Sequence, residues 1–246
     1  MAAPDASGPQ TASQRIIVAL DVPSRGTALR LVERLGGRVG MFKVGSQLFA
    51  AAGPAIVREL VGLGERVFLD LKFHDIPHVV AEACAAAADL GVSLLDVHAS
   101  GGAAMLRAAR QVLDQHGRSG RRPRLLAVTV LTSLAQRDLK AMGWKGTVQG
   151  NVLRLARLAQ RVGCDGIVAA PTDVAAIRRA CGKDFLIVTP GIRLPGHAKA
   201  ADQARVATPA AALRAGANYI VIGRALTQSR NPLRTVAAIL ESIAAG

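Results

Sequence analysis

Short aliphatic or β-branched runs recur eight times along this chain, and each is followed by a longer segment with helical character. The runs predict strands at residues 16–21, 41–44, 67–72, 94–98, 125–131, 166–170, 186–189 and 219–222. The intervening segments predict helices at residues 28–35, 54–63, 79–90, 103–115, 152–161, 172–180, 209–215 and 232–243. The strand segments are apolar almost without interruption, which is typical of parallel strands covered by helices.

Eight strand–helix units in about 230 residues predict an α/β fold, namely a single-domain (β/α)8 TIM barrel, whose usual length is about 250 residues. An open doubly wound sheet is the alternative, but no Gly-x-Gly-x-x-Gly follows the first predicted strand. We expect the barrel, as the catalytic domain, to occupy residues 15–246. Residues 1–14 are rich in Ala, Ser, Pro, Gln and Thr, and we expect them to form a disordered N-terminal tail.

The chain is basic, with 31 Lys and Arg residues against 17 Asp and Glu residues and a formal net charge of +14. Such a balance raises the question of nucleic acid or of an anionic small ligand. The arginines are scattered through helix-like segments, and only 3% of the residues are aromatic, so there are few rings on which bases could stack. We therefore expect no nucleic-acid partner, and instead a basic surface together with a phosphorylated substrate.

Cys84, Cys164 and Cys181 lie far apart in the sequence and form no Cys-x-x-Cys pair, which predicts small buried residues in a reducing compartment. No apolar run approaches the roughly 18 residues of a membrane span. The first 14 residues lack the basic start and the apolar stretch of a signal peptide. We expect a cytoplasmic protein with no membrane partner.

Residues 70–75 read Asp-Leu-Lys-Phe-His-Asp and begin where the third predicted strand runs out. Asp70 and Lys72 are two residues apart, so on a strand their side chains point to the same side of the sheet. Asp75 follows on the turn beyond, where an alternative role is the N-cap of the helix that Pro77 enters. Charges of alternating sign at the end of a buried strand are costly unless they interact with one another.

Polar residues also follow other predicted strands, and in a barrel the functional residues gather at the carboxyl ends of the strands. The residues at these ends are Asp21, Lys43, Asp70, Lys72, Asp75, Thr132, Arg193, Gly223 and Arg224. Each alone has a structural explanation, because Asp21 can cap a turn, Lys43 can extend its ammonium to solvent and Arg224 can be a surface residue. Two lysines and three aspartates on one face are harder to explain in this way, and they predict a charged active site.

Residues 190–202 form a segment without periodicity that contains two glycines, two prolines, an arginine and a lysine. A loop of this length in a compact domain is usually a lid or a binding loop. Together with Gly223 and Arg224 it follows the last two predicted strands, where barrels commonly bind phosphate. Glycine lets backbone N–H groups approach the phosphate, and arginine offers a planar fork of donors. The segment therefore predicts a phosphorylated ligand.

Asp96 and His98 share one face of the fourth predicted strand. A metal site is one interpretation, but no third ligand stands at a suitable spacing. A buried, hydrogen-bonded histidine is the other interpretation, and we predict no metal site.

Six motifs, in the same order along residues 15–230, resemble those of one known family. They are Ala19-Leu-Asp-Val22, Phe42-Lys-Val-Gly45, Asp70-Leu-Lys-Phe-His-Asp-Ile-Pro77, Leu131-Thr-Ser133, Pro190-Gly-Ile-Arg193 and Val221-Ile-Gly-Arg224. The family they resemble is that of the orotidine 5′-phosphate decarboxylases. The Asp-x-Lys-x-x-Asp core is shared with related barrels, notably 3-keto-L-gulonate 6-phosphate decarboxylase and hexulose-phosphate synthase. The flanking Phe-His, Ile-Pro and Gly-Ile-Arg are more specific to the orotidylate enzyme.

The resemblance implies conversion of orotidine 5′-phosphate to UMP and CO2 in de novo pyrimidine biosynthesis, without a metal or organic cofactor. It implies that Lys72 stabilises and then protonates the C6 carbanion, for which it must start as an ammonium, a form that flanking carboxylates favour. Asp70 is expected against the departing carboxylate, and Lys43 and Asp75 complete an alternating charge array. The resemblance also implies a homodimer in which Asp75 and Ile76 enter the active site of the neighbouring subunit.

The resemblance assigns substrate contacts as well. Asp21 and Lys43 are expected to hold ribose hydroxyls, and Thr132 is expected to contact the pyrimidine edge. The expected phosphate contacts are Arg193, Gln203, Gly223 and Arg224. The chain departs from the family pattern at His78-Val79, where the family often has Asn-Thr.

Two rival functions remain open at this point. One is a magnesium-dependent sugar-phosphate decarboxylase or aldolase on the same barrel, in which the carboxylates of Asp-x-Lys-x-x-Asp surround the metal. The other is a catalytically inactive barrel that acts as a basic binding protein.

Overall fold

The computed structural model describes residues 11–116, 122–194 and 205–245. Eight parallel strands close into a barrel in chain order, and the last strand pairs with the first. The strands are β1 (Ile16–Ala19), β2 (Met41–Gly45), β3 (Val67–Phe73), β4 (Leu94–His98), β5 (Arg124–Val128), β6 (Gly166–Val168), β7 (Leu186–Thr189) and β8 (Tyr219–Ile222). The predicted (β/α)8 barrel is confirmed.

Helices connect the strands and surround the barrel. Those within the described residues are α1 (Arg25–Leu35), α2 (Ser46–Gly62), α3 (Pro77–Asp89), α4 (Gly102–His116), α5 (Gln136–Ala141), α6 (Val148–Arg161), α7 (Val174–Cys181), α8 (Pro209–Arg214), α9 (Arg224–Thr227) and α10 (Pro232–Ala244). Several begin as the sequence indicates. Ser24, Thr147 and Asn231 accept backbone N–H groups at the starts of α1, α6 and α10, and proline opens α3, α8 and α10.

The strands separate two cores, because alternate side chains point inside and outside the barrel. Phe68, Leu94 and Leu126 belong to the inner core. The outer core, between strands and helices, contains their sequence neighbours Leu69 and Leu95. Both cores are largely aliphatic, since only 3% of the residues are aromatic. The three cysteines are buried and free, as expected.

Several element ends differ from the prediction. β1 stops at Ala19, β5 at Val128 and β6 at Val168, each two or three residues before its predicted end. The chain still pairs one residue beyond β5, because the Thr129 N–H donates to Val168 O. α2 begins at Ser46, well before the predicted start, and is interrupted at Gly53, whose φ is 63°. The short helices α5 and α9 were not predicted, because a helix of one or two turns is too short to show a hydrophobic period.

The predicted tail stays a prediction, since residues 1–10 lie outside the described residues. Ser13–Arg15 form a single 3-10 turn directly before β1. None of the helices within the described part of the chain has the length and apolar character needed to cross a bilayer.

Candidate active site

A cavity of about 970 Å3 opens at the carboxyl ends of the strands. The predicted site residues that line it are Asp21, Lys43, Asp70, Lys72, Thr132, Arg193, Gly223 and Arg224. Asp75 and Ile76 do not line it, and Gln203 lies outside the described residues. One cavity therefore collects residues from the ends of six different strands, as expected for this architecture.

Lysines and carboxylates alternate along the floor of the cavity. Lys43 Nζ lies 3.1 Å from Asp21 Oδ1 and 3.0 Å from Asp70 Oδ2. Lys72 Nζ contacts the other oxygen of Asp70, Oδ1. We call this line of Asp21, Lys43, Asp70 and Lys72 the charged row. Its middle members are buried, while the Asp21 and Lys72 side chains are 49% and 33% exposed and face the cavity.

The two buried members of the row, Lys43 and Asp70, are held in the ionised state by the charges beside them. Burial acts to raise the pKa of Asp70, but the Lys43 and Lys72 ammonium groups outweigh burial and hold that pKa well below its usual range. Burial likewise acts to lower the pKa of Lys43, but Asp70 and Asp21 outweigh it and the pKa is raised. The buried pair therefore stays charged near neutral pH before any ligand arrives.

The second strand is built to admit a buried lysine. Lys43 is opposite Ala19 in β1, and Gly45 is opposite Asp70 in β3. A Cβ atom at Gly45 would lie 2.8 Å from Lys43 Nζ and 3.0 Å from Asp21 Oδ1. Glycine at this position thus leaves the space in which Lys43 and Asp21 meet.

Asp75 is exposed on the turn between β3 and α3, away from the charged row of its own chain. Its Oδ1 accepts the N–H of Ile76 at 2.7 Å. The N-cap of α3 is Ile76 rather than Asp75, so the interpretation of Asp75 as that N-cap is wrong. The backbone bond to its own neighbour leaves the Asp75 carboxylate at the surface, where Ile76 is 64% exposed.

The loop after β7 is anchored at both ends beside the cavity. Ile192 and Ala207 form an isolated bridge, and the Arg193 N–H donates to Ala207 O at 2.9 Å. Arg205 pairs with Asp173 and also donates to Val130 O at 3.1 Å. These contacts keep Arg193 on the same cavity as Thr132. Sequence reasoning missed the Arg205 anchor, because no local pattern connects residues 32 positions apart.

Asp96 and His98 lie at the edge of this site. Asp96 is fully buried, and its Oδ1 accepts the backbone N–H of Lys72 at 2.8 Å. His98 is only half-buried, with its ring centroid 5.1 Å from that of His74, and burial is the main reason that its pKa is lowered. Within the described residues, no three His, Cys, Asp or Glu side chains are grouped so that they could hold a metal ion.

Further polar residues of the cavity were not singled out from the sequence. They are Ser46, Gln47, Gln228 and Ser229, at the start of α2 and after α9. A polar residue beside a helix end is common in any protein, so the sequence carried no specific signal for them.

A closed parallel barrel with a charged cavity at the carboxyl ends of its strands defines a (β/α)8-barrel protein of the enzyme type. The sequence matches the model of the orotidine 5′-phosphate decarboxylase / HUMPS family over residues 14–239, and the chain belongs to that family.

Similar proteins span nearly the whole chain. A relative from Trichlorobacter lovleyi, named orotidine 5′-phosphate decarboxylase, is 49% identical over 96% of this chain and 97% of its own length. A relative of the same name from Nitrosococcus oceani is 51% identical over 92% of this chain and 95% of its own. The crystal structure of orotidine 5′-phosphate decarboxylase from Lactobacillus acidophilus has a TM-score of 0.82 and 36% identity, covering 93% of this chain and 98% of that one.

Proposed function

We propose that this chain decarboxylates orotidine 5′-phosphate to UMP and CO2, a step of de novo pyrimidine biosynthesis. The observation that carries the proposal is the charged row, in which Lys72 stands at the cavity with a buried carboxylate held against it. The names of relatives about half identical over nearly the full length support the same substrate.

The proposed step needs one proton donor and no electron acceptor. The bond between C6 of the pyrimidine and its carboxylate breaks, CO2 leaves, and the electron pair stays on C6. Lys72 Nζ then gives a proton to C6, which forms UMP and leaves a neutral amine that solvent reprotonates. Before that transfer, the Lys72 ammonium stabilises the carbanion through its charge.

Asp70 and Lys43 prepare Lys72 for this step. Asp70 contacts Lys72 Nζ on one side and Lys43 on the other, so its position is fixed before substrate binds. A preorganised row of charges stabilises a developing carbanion without having to reorient during the reaction. In the proposed complex, Asp70 lies against the substrate carboxylate that departs.

The rest of the cavity suits a nucleoside monophosphate. Asp21 and Lys43 would hold the ribose hydroxyls, and Thr132 would contact the pyrimidine edge. Arg193, Gly223 and Arg224 line the part of the cavity formed after β7 and β8, the usual phosphate region of a barrel. Gln203 is proposed as a further phosphate contact.

A homodimer with shared active sites is part of the proposal. Asp75 and Ile76 are exposed and do not line the cavity of their own chain, and Val79 beside them is 44% exposed. Exposed apolar residues around a carboxylate suit a surface that a second copy covers. Asp75 would then complete the charge array of the neighbouring site, next to that subunit's Lys72.

The magnesium-dependent sugar-phosphate enzyme is less well supported than the decarboxylase. In such an enzyme the carboxylates of the motif surround the metal, whereas here both oxygens of Asp70 contact lysines. The three buried free cysteines suit a reducing compartment, and on that ground we propose a cytoplasmic location.

Replacement of Lys72 tests the proposed function directly. The wild type is expected to consume orotidine 5′-phosphate in an ultraviolet absorbance assay, and Lys72→Ala is expected to lower kcat by about 10²- to 10⁴-fold, the usual contribution of a general acid. Lys183→Ala is the matched control, because Lys183 is an exposed lysine before β7, at the opposite end of the barrel, and should keep wild-type turnover.

Three outcomes would contradict the proposed function. One is a wild type inactive on orotidylate, and another is near-normal turnover by Lys72→Ala. A third is turnover of a ketose phosphate that EDTA abolishes, with no turnover of orotidylate, which would favour the metal-dependent rival. Salt-sensitive nucleic-acid binding without any turnover would instead favour the inactive binding protein.

A further inference from the structure

The backbone of Lys72 adopts an unusual conformation. Its φ is 51°, and among the described residues it is the sole non-glycine residue with a positive φ. A side chain in this left-handed region is strained, and such residues persist only where the surrounding structure holds them. The strain therefore falls on the residue that we propose as the proton donor.

The pairing of β3 with β4 is irregular at the same place. Leu69 is opposite Leu95, but the next paired residues are Phe73 and Val97. Four residue steps on β3 thus correspond to two steps on β4, so the chain around Lys72 bulges out of the ladder. A bulge re-aims the side chains that it carries, and here it carries Lys72.

The Lys72 N–H donates to a side chain of β4 instead of to a backbone carbonyl of that strand. Asp96 lies within β4, on the inner face of the barrel with Leu94, and its Oδ1 accepts that N–H at 2.8 Å. Asp96 has no exposed surface, and its other oxygen, Oδ2, has no hydrogen-bond partner among the described residues. Burial, reinforced by the nearby Asp70 charge, raises the pKa of Asp96 well above its ordinary value.

An apolar side chain in the middle of β4 would avoid the cost of burying this carboxyl group. Two interactions orient the Asp96 carboxyl: Oδ1 accepts the Lys72 backbone N–H, and the carboxyl lies within hydrogen-bonding reach of the Asp70 side chain that Lys72 contacts. The group therefore acts on the conformation of the bulge, and through it on the side chain of Lys72.

We propose that Asp96 is a positioning residue, which holds the bulge of β3 and the left-handed backbone of Lys72 so that Nζ points at Asp70 and into the cavity. This inference rests on the proposed decarboxylase function and adds a residue to it. Without the acceptor, β3 is free to relax toward regular pairing with β4, and Lys72 then loses its contact with Asp70.

Two substitutions at position 96 separate the acceptor from the charge. Asp96→Asn keeps an oxygen at the place of Oδ1, so we expect Lys72 to stay in position and kcat to stay near the wild-type value. Asp96→Leu has a similar size but no acceptor, and we expect kcat to fall about a hundredfold, the cost of misplacing a reacting group by about 1 Å. KM should change little in both, since phosphate and ribose bind elsewhere in the cavity.

A matched control separates positioning from stability. Asp165 is a partly buried carboxylate that likewise accepts a strand N–H, that of Leu125 at 2.8 Å, but it lies at the amino end of the barrel. Asp165→Asn is expected to lower the melting temperature and to leave kcat unchanged below that temperature. If Asp96→Leu does not fold, Asp96→Ala removes the acceptor without adding bulk and carries the same expectation.

The outcomes separate this inference from the proposed function. A wild type that does not consume orotidylate overturns both. An active wild type whose Asp96→Leu or Asp96→Ala variant keeps normal kcat overturns only the role of Asp96. So does an equal loss of kcat in Asp96→Asn and Asp96→Leu, or a crystal structure of the leucine variant in which Lys72 keeps its left-handed backbone and its contact with Asp70.

Discussion

At the scale of single residues, the unusual feature is a carboxylate buried between two ammonium groups. Asp70 is 9% exposed and contacts both Lys43 and Lys72. Removing one partner of a buried ion pair costs more free energy of unfolding than the intact pair contributes, because the remaining charge is left buried without a partner. Asp70 therefore supports the fold as well as the proposed chemistry.

A pH-dependent loss of stability is expected for Asp70→Asn. Since the pKa of folded Asp70 lies below its ordinary value of 3.8, its charge stabilises the fold above that pH, and the contribution disappears as pH falls further. Near neutral pH the variant should lose about 3 kcal/mol of unfolding free energy. Below about pH 4 the gap to the wild type should narrow.

Urea unfolding at several pH values measures this gap. Asp184→Asn, at an exposed carboxylate outside the cavity, is the control and should differ little from the wild type at any pH. A gap that stays constant through acid pH would show that the Asp70 charge does not stabilise the fold.

At the scale of elements, close contacts between neighbouring strands determine where glycine is required. Gly166 opens β6 opposite Leu186 of β7. A Cβ atom added at Gly166 would lie 2.4 Å from Leu186 O and 2.4 Å from Leu186 Cβ. A backbone atom cannot move aside as a flexible side chain can, so the two strands would have to shift.

Gly166→Ala is therefore expected to cost about 1–3 kcal/mol, as overpacking does. In a chain of this length the melting temperature would fall by roughly 2–4 °C for each kcal/mol. Gly62→Ala is the matched control, because no heavy atom of the described residues lies within 4 Å of its added Cβ, and alanine has a higher helix propensity than glycine at the end of α2. Equal melting temperatures for both variants would contradict the described register of β6 and β7.

At the scale of the whole molecule, the proposed active site extends beyond one chain. The barrel brings Asp21, Lys43, Asp70 and Lys72 into one row, yet Asp75 of the same motif points to the surface. A twofold dimer would place each Asp75 against the other subunit, because the same surface patch occurs on both partners.

Mixing inactive variants tests this arrangement. Asp75→Ala and Lys72→Ala should each be inactive alone, and their random hybrids should recover about a quarter of wild-type activity, since half of the dimers would hold one intact site. The matched control is a mixture of Lys72→Ala with Lys43→Ala. Both lysines belong to the charged row of the same chain, so every site in the hybrid lacks one of them and no activity should return. Hybrids that form freely but stay inactive would argue against a shared site.

Much of the fold was predictable because strand and helix periods are local properties of the chain. The eight strands are all found where apolar runs occur, although β1, β5 and β6 end sooner than predicted. The helices α5 and α9 were missed, since they are too short to show a period. The residues at strand ends were predicted to converge, and eight of them line one cavity.

The sequence by itself determined the barrel and the candidate residues of the site, because hydrophobic period, motif order and residue chemistry can all be identified without knowing any tertiary contact. Tertiary structure alone decided the pairing of Lys43 with Asp21 and Asp70, the anchoring of the loop by Arg205, and the bond from Lys72 to Asp96. The physical reason is that a contact between distant residues depends on strand register. A bulge in β3, which no periodicity indicates, sets that register at Lys72.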